Sequence, residues 1–361
     1  MRRTGALVLV VCTVLAGCAT RDVPGHAFPE RVHVENLRVT AARPVAATGP
    51  VRLSPDGTRV LRLNSDLCVT ALDGSGERCA GKDVHPDTLR AQWSPDGTRI
   101  AFTEDFWRLL LDPDVWVFDV RTGELRNLTD DGEVKVALSE GDRAATIDVL
   151  PSWSPDGKFV RFARGSTAER DATALMSISV DDGELSAVRE VRCPVAELTA
   201  LAWSAKRVAW TCGITGAEVR AADVSRVREW TVLPAAGRED RMLLSFSPDG
   251  ESLLVDSLAP YASPAPDGGR ARVVPVAGGR ARPVAQGEVA FPAWVPDTGA
   301  IAYVELPGGL EVVAGPGGPP RELRHAERLA ASDGMRLDWG KNTLLALVDG
   351  AATLLTVTTG S

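Results

Sequence analysis

Four aspartates stand in the same short motif, Ser-Pro-Asp-Gly, and a carboxylate is a residue type that could do chemistry. It can transfer a proton or ligate a divalent cation. In a tight turn, however, proline fixes the first corner, aspartate accepts backbone hydrogen bonds, and glycine takes the left-handed conformation. Because the motif is repeated along the chain, we interpret it as a turn that forms the fold and not as a catalytic carboxylate. The four residues are Asp56, Asp96, Asp156 and Asp249.

A second reactive group is the thiol of Cys18, which ends the N-terminal segment MRRTGALVLVVCTVLAGC. Two arginines precede an apolar run that is too short for a permanent membrane span, a pattern typical of a signal peptide over residues 1–17. The residues LAGC resemble the bacterial lipobox, which implies that Cys18 carries a diacylglyceryl group, a stable anchor when two acyl chains are present. An ordinary signal peptide with an unrelated cysteine is the alternative. Residues 18–30 are then a lipidated polar tether.

Four cysteines remain beyond the anchor, in a compartment that permits disulfides. Between Cys68 and Cys79, an Asp-Gly pair predicts a hairpin turn that would place the two cysteines opposite each other. We therefore prefer the pairs Cys68–Cys79 and Cys193–Cys212 over the two other pairings. A metal site is the competing interpretation, but the sequence has no Cys-x-x-Cys spacing to support it. No metal and no cofactor is predicted.

Motifs of known hydrolases and of nucleic-acid binders are missing from the sequence. No Gly-x-Ser-x-Gly elbow occurs, and the two tyrosines, Tyr261 and Tyr303, are explained as loop and strand residues. The formal net charge of -8 argues against a phosphate-binding surface. We therefore expect a protein that is not an enzyme and that binds no nucleic acid.

The elements that position these residues are repeats. The residue before each turn recurs at intervals of 40 to 60 residues, and an apolar or alternating strand follows it each time. A period of this length with strand patterning predicts the four-stranded blades of a β-propeller. We predict an all-β domain of seven blades over residues 31–361, with six blades as the alternative. Residues 31–40 would supply an outer strand that closes the ring, because the last period has only about three strands. The recurring positions are Leu53, Trp93, Trp153, Trp203, Phe246, Trp294 and Trp339.

The repeats WSPDGTRIAF (93–102) and WSPDGKFVRF (153–162) are similar to the WD-like repeats of TolB-like propellers and of prolyl oligopeptidase propellers. The resemblance covers about residues 50–350. It implies the fold, and by analogy with TolB a periplasmic role in protein interactions. Because many unrelated proteins carry such repeats, it does not identify a partner.

Long insertions fall on the face of the disc opposite the short turns, and binding residues usually lie on such loops. The insertions are residues 103–114, 130–146, 164–173 and 257–270. In the first, Phe106, Trp107 and Leu110 would act as apolar anchors for a partner, with Asp112 and Asp114 at the rim. Alternatively, these apolar residues cover the propeller mouth as local core. Both interpretations are kept.

We therefore expect a lipid-anchored, extracytoplasmic, monomeric propeller without catalytic activity. Its function would be to bind an envelope protein or peptide on the loop face, chiefly over the second and third blades. The alternative is an envelope hydrolase, or a propeller that binds a small molecule or a metal in its central channel.

Overall fold

The computed structural model describes most of the chain between residues 37 and 359. The described ranges are 37–46, 51–63, 67–81, 86–87, 90–104, 113–132, 146–166, 171–213, 218–226, 228–235, 242–257, 271–286, 289–305, 309–316, 318, 320–325, 337–348 and 351–359. They form seven antiparallel sheets of four strands each, arranged as the blades of a ring. The predicted seven-bladed, all-β propeller is confirmed, and the six-bladed alternative is wrong.

Strand β1 (Leu37–Pro44) comes first along the chain and belongs to the last blade. Blade 1 contains β2 (Val51–Leu53), β3 (Arg59–Leu63), β4 (Leu67–Ala71) and β5 (Arg78–Cys79). Blade 2 contains β6 (Gln92–Trp93), β7 (Arg99–Thr103), β8 (Val115–Asp119) and β9 (Leu125–Asn127). Blade 3 contains β10 (Thr146–Trp153), β11 (Phe159–Ser166), β12 (Thr173–Ser179) and β13 (Leu185–Val191).

The remaining blades follow the same order. Blade 4 contains β14 (Leu198–Trp203), β15 (Arg207–Cys212), β16 (Glu218–Asp223) and β17 (Glu229–Leu233). Blade 5 contains β18 (Met242–Phe246), β19 (Ser252–Ser257), β20 (Ala271–Pro275) and β21 (Arg282–Pro283). Blade 6 contains β22 (Val289–Trp294), β23 (Ile301–Glu305), β24 (Gly309–Val313) and β25 (Arg321–His325). Blade 7 combines β26 (Asp338–Trp339), β27 (Thr343–Val348) and β28 (Ala351–Thr359) with β1.

The ring is closed by β1, which pairs antiparallel with β28 from Leu37↔Thr359 to Pro44↔Thr353. The predicted closure by an N-terminal strand is therefore confirmed. The strand runs to Pro44, further than the predicted residues 31–40, and residues 31–36 lie outside the described part of the chain. A proline is tolerated at this end because β1 is an edge strand, where one face of the backbone needs no ladder partner.

The hydrophobic core lies between neighbouring blades. Val60 of blade 1, for example, packs in one cluster with Leu345 and Leu354 of blade 7. Phe162 of blade 3 packs with Val117 of blade 2. Each fully buried side chain of this size stabilises the fold by about 1.5–3 kcal/mol. Because alternate residues of each strand face the next blade, the core runs around the ring and holds both faces of the disc in place.

Arginines near the start of the second strands join neighbouring blades. Arg59 donates a hydrogen bond from Nη2 to the carbonyl of Gly97 in the turn of blade 2 (3.1 Å). Arg207 donates from Nη1 to the carbonyl of Gly250 in the turn of blade 5 (3.1 Å). The guanidinium of Arg59 also lies 5.8 Å from the centre of the Trp93 ring. Each of these two arginines links its own blade to the turn of the next blade, so its charge has a structural role.

Candidate functional site

The Ser-Pro-Asp-Gly turns share one hydrogen-bonding pattern on the turn face of the disc. In blade 2, the Ser94 hydroxyl donates to Asp96 Oδ1 (2.6 Å) and accepts from the Arg99 N–H (2.9 Å). The Thr98 N–H donates to the same carboxylate (3.0 Å). Gly97 closes the turn with a φ of 69°, a conformation that disfavours other residues. The aspartate is thus engaged by its own turn.

The hydrogen bonds of these turns also set the acidity of the aspartates. Partial burial raises the pKa of Asp56 and Asp96, but hydrogen bonds from the neighbouring serine and threonine outweigh it, so each pKa lies below its ordinary value. For Asp156, hydrogen bonds from the Ser154 hydroxyl and the Lys158 N–H lower the pKa directly. These carboxylates are stabilised as anions that hold the turn. Their contacts agree with the turn-forming interpretation.

Blade 6 builds the equivalent turn differently, with the sequence Val-Pro-Asp-Thr-Gly. Here Asp297 itself takes the left-handed conformation, with a φ of 57°. The Thr298 N–H donates to the carbonyl of Val295 (3.2 Å), and the Thr298 hydroxyl donates to the same oxygen (2.8 Å). A proline followed by a residue of positive φ corresponds to a type II turn. The loop therefore keeps its length while the aspartate loses its role as an acceptor from the turn.

A buried ion pair lies on the opposite, loop face, at the ends of the first two strands of blade 3. Asp148 is 1% exposed, and both of its carboxylate oxygens accept from Arg164, Oδ1 from Nε (2.8 Å) and Oδ2 from Nη2 (2.6 Å). A bulge in β10 sets this pairing: the register shifts between Val149 and Ser152, and Leu150 takes a φ of 59°. The bulge leaves Asp148 directly opposite Arg164.

Asp114 extends this polar cluster into blade 2. Its Oδ2 accepts from the amide of Asn127 (2.7 Å), and its Oδ1 accepts from the hydroxyl of Thr129 (3.1 Å). The Thr129 hydroxyl in turn accepts from the Val115 N–H (2.9 Å). The two blades meet here, because the Asp148 N–H donates to the carbonyl of Pro113 (3.0 Å). We call Asp114, Asn127, Thr129, Asp148 and Arg164 the loop-face cluster.

The electrostatics of the loop-face cluster are those of charges withdrawn from water. Burial raises the pKa of Asp148, and the hydrogen bonds from Arg164 oppose this rise without cancelling it. Burial also raises the pKa of Asp114, assisted by the negative charges of Asp148 and Glu104. The pair with Asp148 raises the pKa of Arg164. Raised carboxyl pKa values mark functional sites as well as structural networks. Here every carboxylate oxygen of Asp114 and Asp148 already accepts a hydrogen bond, so the cluster is suited to hold the loop ends.

The structure describes only one of the residues predicted to bind a partner. Asp114 is half-buried in the loop-face cluster, while Phe106, Trp107, Leu110 and Asp112 lie outside the described residues, as does Cys18. The role of all five in binding or lipidation therefore stays a prediction. The sequence reasoning missed Asp148 and Arg164. Their signal was weak: Asp148 stands shortly after the predicted insertion 130–146, and Arg164 is the first residue of the predicted insertion 164–173.

The four remaining cysteines form two disulfides, Cys68–Cys79 and Cys193–Cys212, which confirms the preferred pairing. Within the described ranges, the only group of three potential metal ligands with atoms within 4.8 Å of one another is Cys68, Glu77 and Cys79. Its two sulfurs are bonded to each other, so this group is no metal site in the oxidised protein. A helix with the length and hydrophobicity of a membrane span is not found in the part of the chain that the structure describes.

Comparison with known proteins identifies the fold. Neither a protein-family model nor a curated protein sequence matches the chain. Among solved structures, an oligogalacturonate lyase in complex with manganese is 12% identical with a TM-score of 0.57, covering 89% of this chain and 97% of that one. A chain of the mitotic checkpoint complex is 13% identical with a TM-score of 0.55, covering 97% and 98%. A protein described as TolB from Agrobacterium tumefaciens is 14% identical with a TM-score of 0.44, covering 79% and 94%. At these identities, the two structures with TM-scores above 0.5 show a shared fold and leave the activity open.

Proposed function

We propose that this protein is a non-catalytic, lipid-anchored, extracytoplasmic propeller that binds an envelope protein or peptide on its loop face, over blades 2 and 3. The observation that carries the proposal is the loop-face cluster. Its members lie at or next to the ends of three predicted insertions, residues 103–114, 130–146 and 164–173, and they form one base that spans two blades. Loops on such a rigid base are where proteins usually place binding residues.

The location rests on the cysteines. Two disulfides suit an oxidising compartment. The resemblance of residues 15–18 to a lipobox supports an anchor at Cys18, followed by the tether of residues 18–30. Strand β1 begins only a few residues after this tether, so an anchored propeller would be held close to the membrane by its last blade.

The absence of catalysis is proposed from how the carboxylates are used. The aspartates of the Ser-Pro-Asp-Gly turns accept hydrogen bonds within their own turns. Asp114 and Asp148 are engaged by Asn127, Thr129 and Arg164. A general base or a metal ligand needs a lone pair that can reach the substrate or the ion. Because each of these six aspartates has a structural use, the contacts support the proposal that they take no part in catalysis.

The test is photo-crosslinking in intact cells, with a photoreactive amino acid placed at single positions of the full-length protein. Probes at Trp107 and Leu110 report on the loop face. Matched probes at Thr122 and Asp182 lie in exposed turns of blades 2 and 3 on the opposite face. We expect a discrete crosslinked protein or peptide from the loop-face probes that the turn-face probes do not give. Equal crosslinking from both faces, or none from either, would contradict the proposal.

A second measurement separates binding from the channel alternative. The double variant Trp107→Ser/Leu110→Ser should abolish the crosslink from a probe at Asp112 while leaving the circular dichroism spectrum and the melting temperature unchanged. A loss of folding would instead support the interpretation of these residues as local core. A rise in melting temperature on adding Mn²⁺ or Ca²⁺, unaffected by this double variant, would favour a metal-binding propeller.

A further inference from the structure

The disulfide Cys68–Cys79 lies at the outer edge of blade 1. Cys68 in β4 and Cys79 in β5 are direct partners in the antiparallel register, with Cα atoms 4.0 Å apart. Strand β5 has only two residues, and both are exposed. Cys68 is 3% exposed, so Cys79 presents the sulfur that a molecule in solution can reach. One half of this disulfide is therefore accessible and the other is protected.

The second disulfide is placed in the opposite way. Cys193 is 0% exposed and packs in the core between blades 3 and 4, in one cluster with Trp210. Its carbonyl also accepts a hydrogen bond from the Thr173 hydroxyl (2.6 Å). Cys212 is partly buried against the same cluster. Both of its cysteines are less exposed than Cys79, so this disulfide serves as an internal control for reactivity.

An arginine stands beside the protected sulfur. Arg62 in β3 is the direct register partner of Cys68, and neighbouring side chains of such a pair lie on one face of the sheet. Its Nη2 forms an ion pair with Glu77, whose Oε1 lies 3.9 Å from the Cys79 sulfur. Its Nε is buried without a hydrogen-bond acceptor among the described residues. A thiolate at Cys68 would supply an acceptor and a negative charge next to this unused donor.

We propose that Cys68–Cys79 is a thiol–disulfide exchange site for a dithiol, and that Cys193–Cys212 is a permanent crosslink. One thiolate of the dithiol attacks the Cys79 sulfur, the Cys68–Cys79 bond breaks, and its electron pair leaves on Cys68 as a thiolate. The second thiol of the dithiol then attacks the dithiol sulfur that is bonded to Cys79, and Cys79 leaves as a thiol. The dithiol is oxidised to a disulfide, and its two electrons and two protons end on Cys68 and Cys79.

Arg62 promotes this exchange in two ways. The guanidinium on the strand position opposite Cys68 stabilises the thiolate that leaves on Cys68, and a more stable leaving thiolate departs faster. Its ion pair with Glu77 also neutralises the carboxylate that would otherwise repel an incoming thiolate at Cys79. Arg62 acts through the cysteines, so it is a positioning residue for the exchange and not a reacting group.

The first test measures the reactivity of both disulfides in the same folded, full-length protein. The protein is titrated with dithiothreitol under native conditions, quenched with an alkylating reagent and digested for mass spectrometry. We expect half-labelling of Cys68 and Cys79 at a dithiothreitol concentration at least about tenfold below that for Cys193 and Cys212. Opening of both disulfides at one concentration, or of Cys193–Cys212 first, would overturn the proposal.

The second test identifies the attacked sulfur and the effect of Arg62. With limiting glutathione, the trapped mixed disulfide should lie on Cys79, and a main adduct on Cys68 would contradict the mechanism. Arg62→Gln should slow the exchange about tenfold, and Arg62→Lys should restore most of the rate. Arg59→Gln, an arginine of the same strand on its other face, is the matched control and should leave the rate unchanged. Equal slowing by Arg62→Gln and Arg59→Gln would show that only the stability of blade 1 matters.

Discussion

Replacing Arg164 with methionine keeps an unbranched apolar stem and removes the guanidinium that neutralises Asp148. Two charge-assisted hydrogen bonds of 2.8 and 2.6 Å are lost, and their acceptor is 1% exposed. Hydrogen bonds to charged groups contribute about 1.5–3 kcal/mol each, and breaking a buried ion pair on one side costs about 3–5 kcal/mol. Because the Arg164 side chain is 24% exposed, water can reach part of the vacated space. We therefore expect the free energy of unfolding to fall by about 3 kcal/mol, near the lower end of the range for a broken buried ion pair.

The assay is urea unfolding followed by tryptophan fluorescence at pH 7 and pH 5. The matched control is Arg99→Met, whose partner Asp181 is 3.5 Å away with a side chain 77% exposed, so its loss should be about 1 kcal/mol or less. In the Arg164→Met variant, burial raises the pKa of Asp148 without an opposing cation. A folded-state pKa above the unfolded value means that the folded state binds the proton more tightly, so the deficit should shrink as the pH falls. The reasoning is refuted if the two variants lose equal stability, or if the deficit of Arg164→Met grows on acidification.

Three further predictions concern the turns and the contact between blades 1 and 7. Asp297→Gly should raise the free energy of unfolding by about 0.5–1 kcal/mol, because glycine tolerates the left-handed conformation. Asp96→Gly should lower it by about 1–2 kcal/mol, because the hydrogen bonds to the carboxylate are lost. The urea midpoint should therefore shift up in the first variant and down in the second. Gly340→Ala should destabilise the contact between blades 1 and 7 by about 1–3 kcal/mol, because a methyl group would lie 3.0 Å from the Gly57 Cα. Amide hydrogen exchange that becomes faster than in the native protein in β2, β26 and β27, but not in blade 3, would locate that effect. Acid should destabilise the protein below about pH 4, because Asp56 and Asp96 have folded-state pKa values below their ordinary ones. The stability that these two anions contribute is lost as the pH falls through the folded-state pKa values. In an acid titration, the free energy of unfolding of Asp96→Asn should therefore fall less than that of the native protein.

The sequence predicted those features whose chemistry is written in adjacent residues. The four Ser-Pro-Asp-Gly turns carry their own donors and acceptors, and the seven recurring positions before these turns and their degenerate copies predicted the number of blades. The Asp73-Gly74 pair predicted the hairpin that brings Cys68 and Cys79 together, and in the structure a three-residue loop over residues 72–74 forms its tip. Closure by an N-terminal strand followed from counting strands in the last period.

Contacts between distant positions could not be predicted in the same way. Arg59 and Arg207 donate hydrogen bonds to backbone carbonyl oxygens of the next blade. Because every residue has a backbone carbonyl, the sequence does not indicate which one accepts. The ion pair of Asp148 with Arg164 depends on the bulge at Leu150, which changes which residues stand opposite each other. At Asp297 the motif kept only its Pro-Asp pair while the turn type changed, because proline at the second position suits both types.

The pairing of β1 with β28 sets the order in which the molecule can be completed. Thr40 and Thr356, which are hydrogen-bonded across it, are 316 residues apart along the chain. Joining such distant positions is slow, because the entropy of closing the intervening loop opposes it. As the chain emerges during synthesis, six sheets can form from contiguous segments, whereas the seventh needs both Leu37–Pro44 and Ala351–Thr359. The nascent protein is therefore an open arc with two unprotected ends until Ala351–Thr359 arrives, and truncation of these nine residues would leave it in that state.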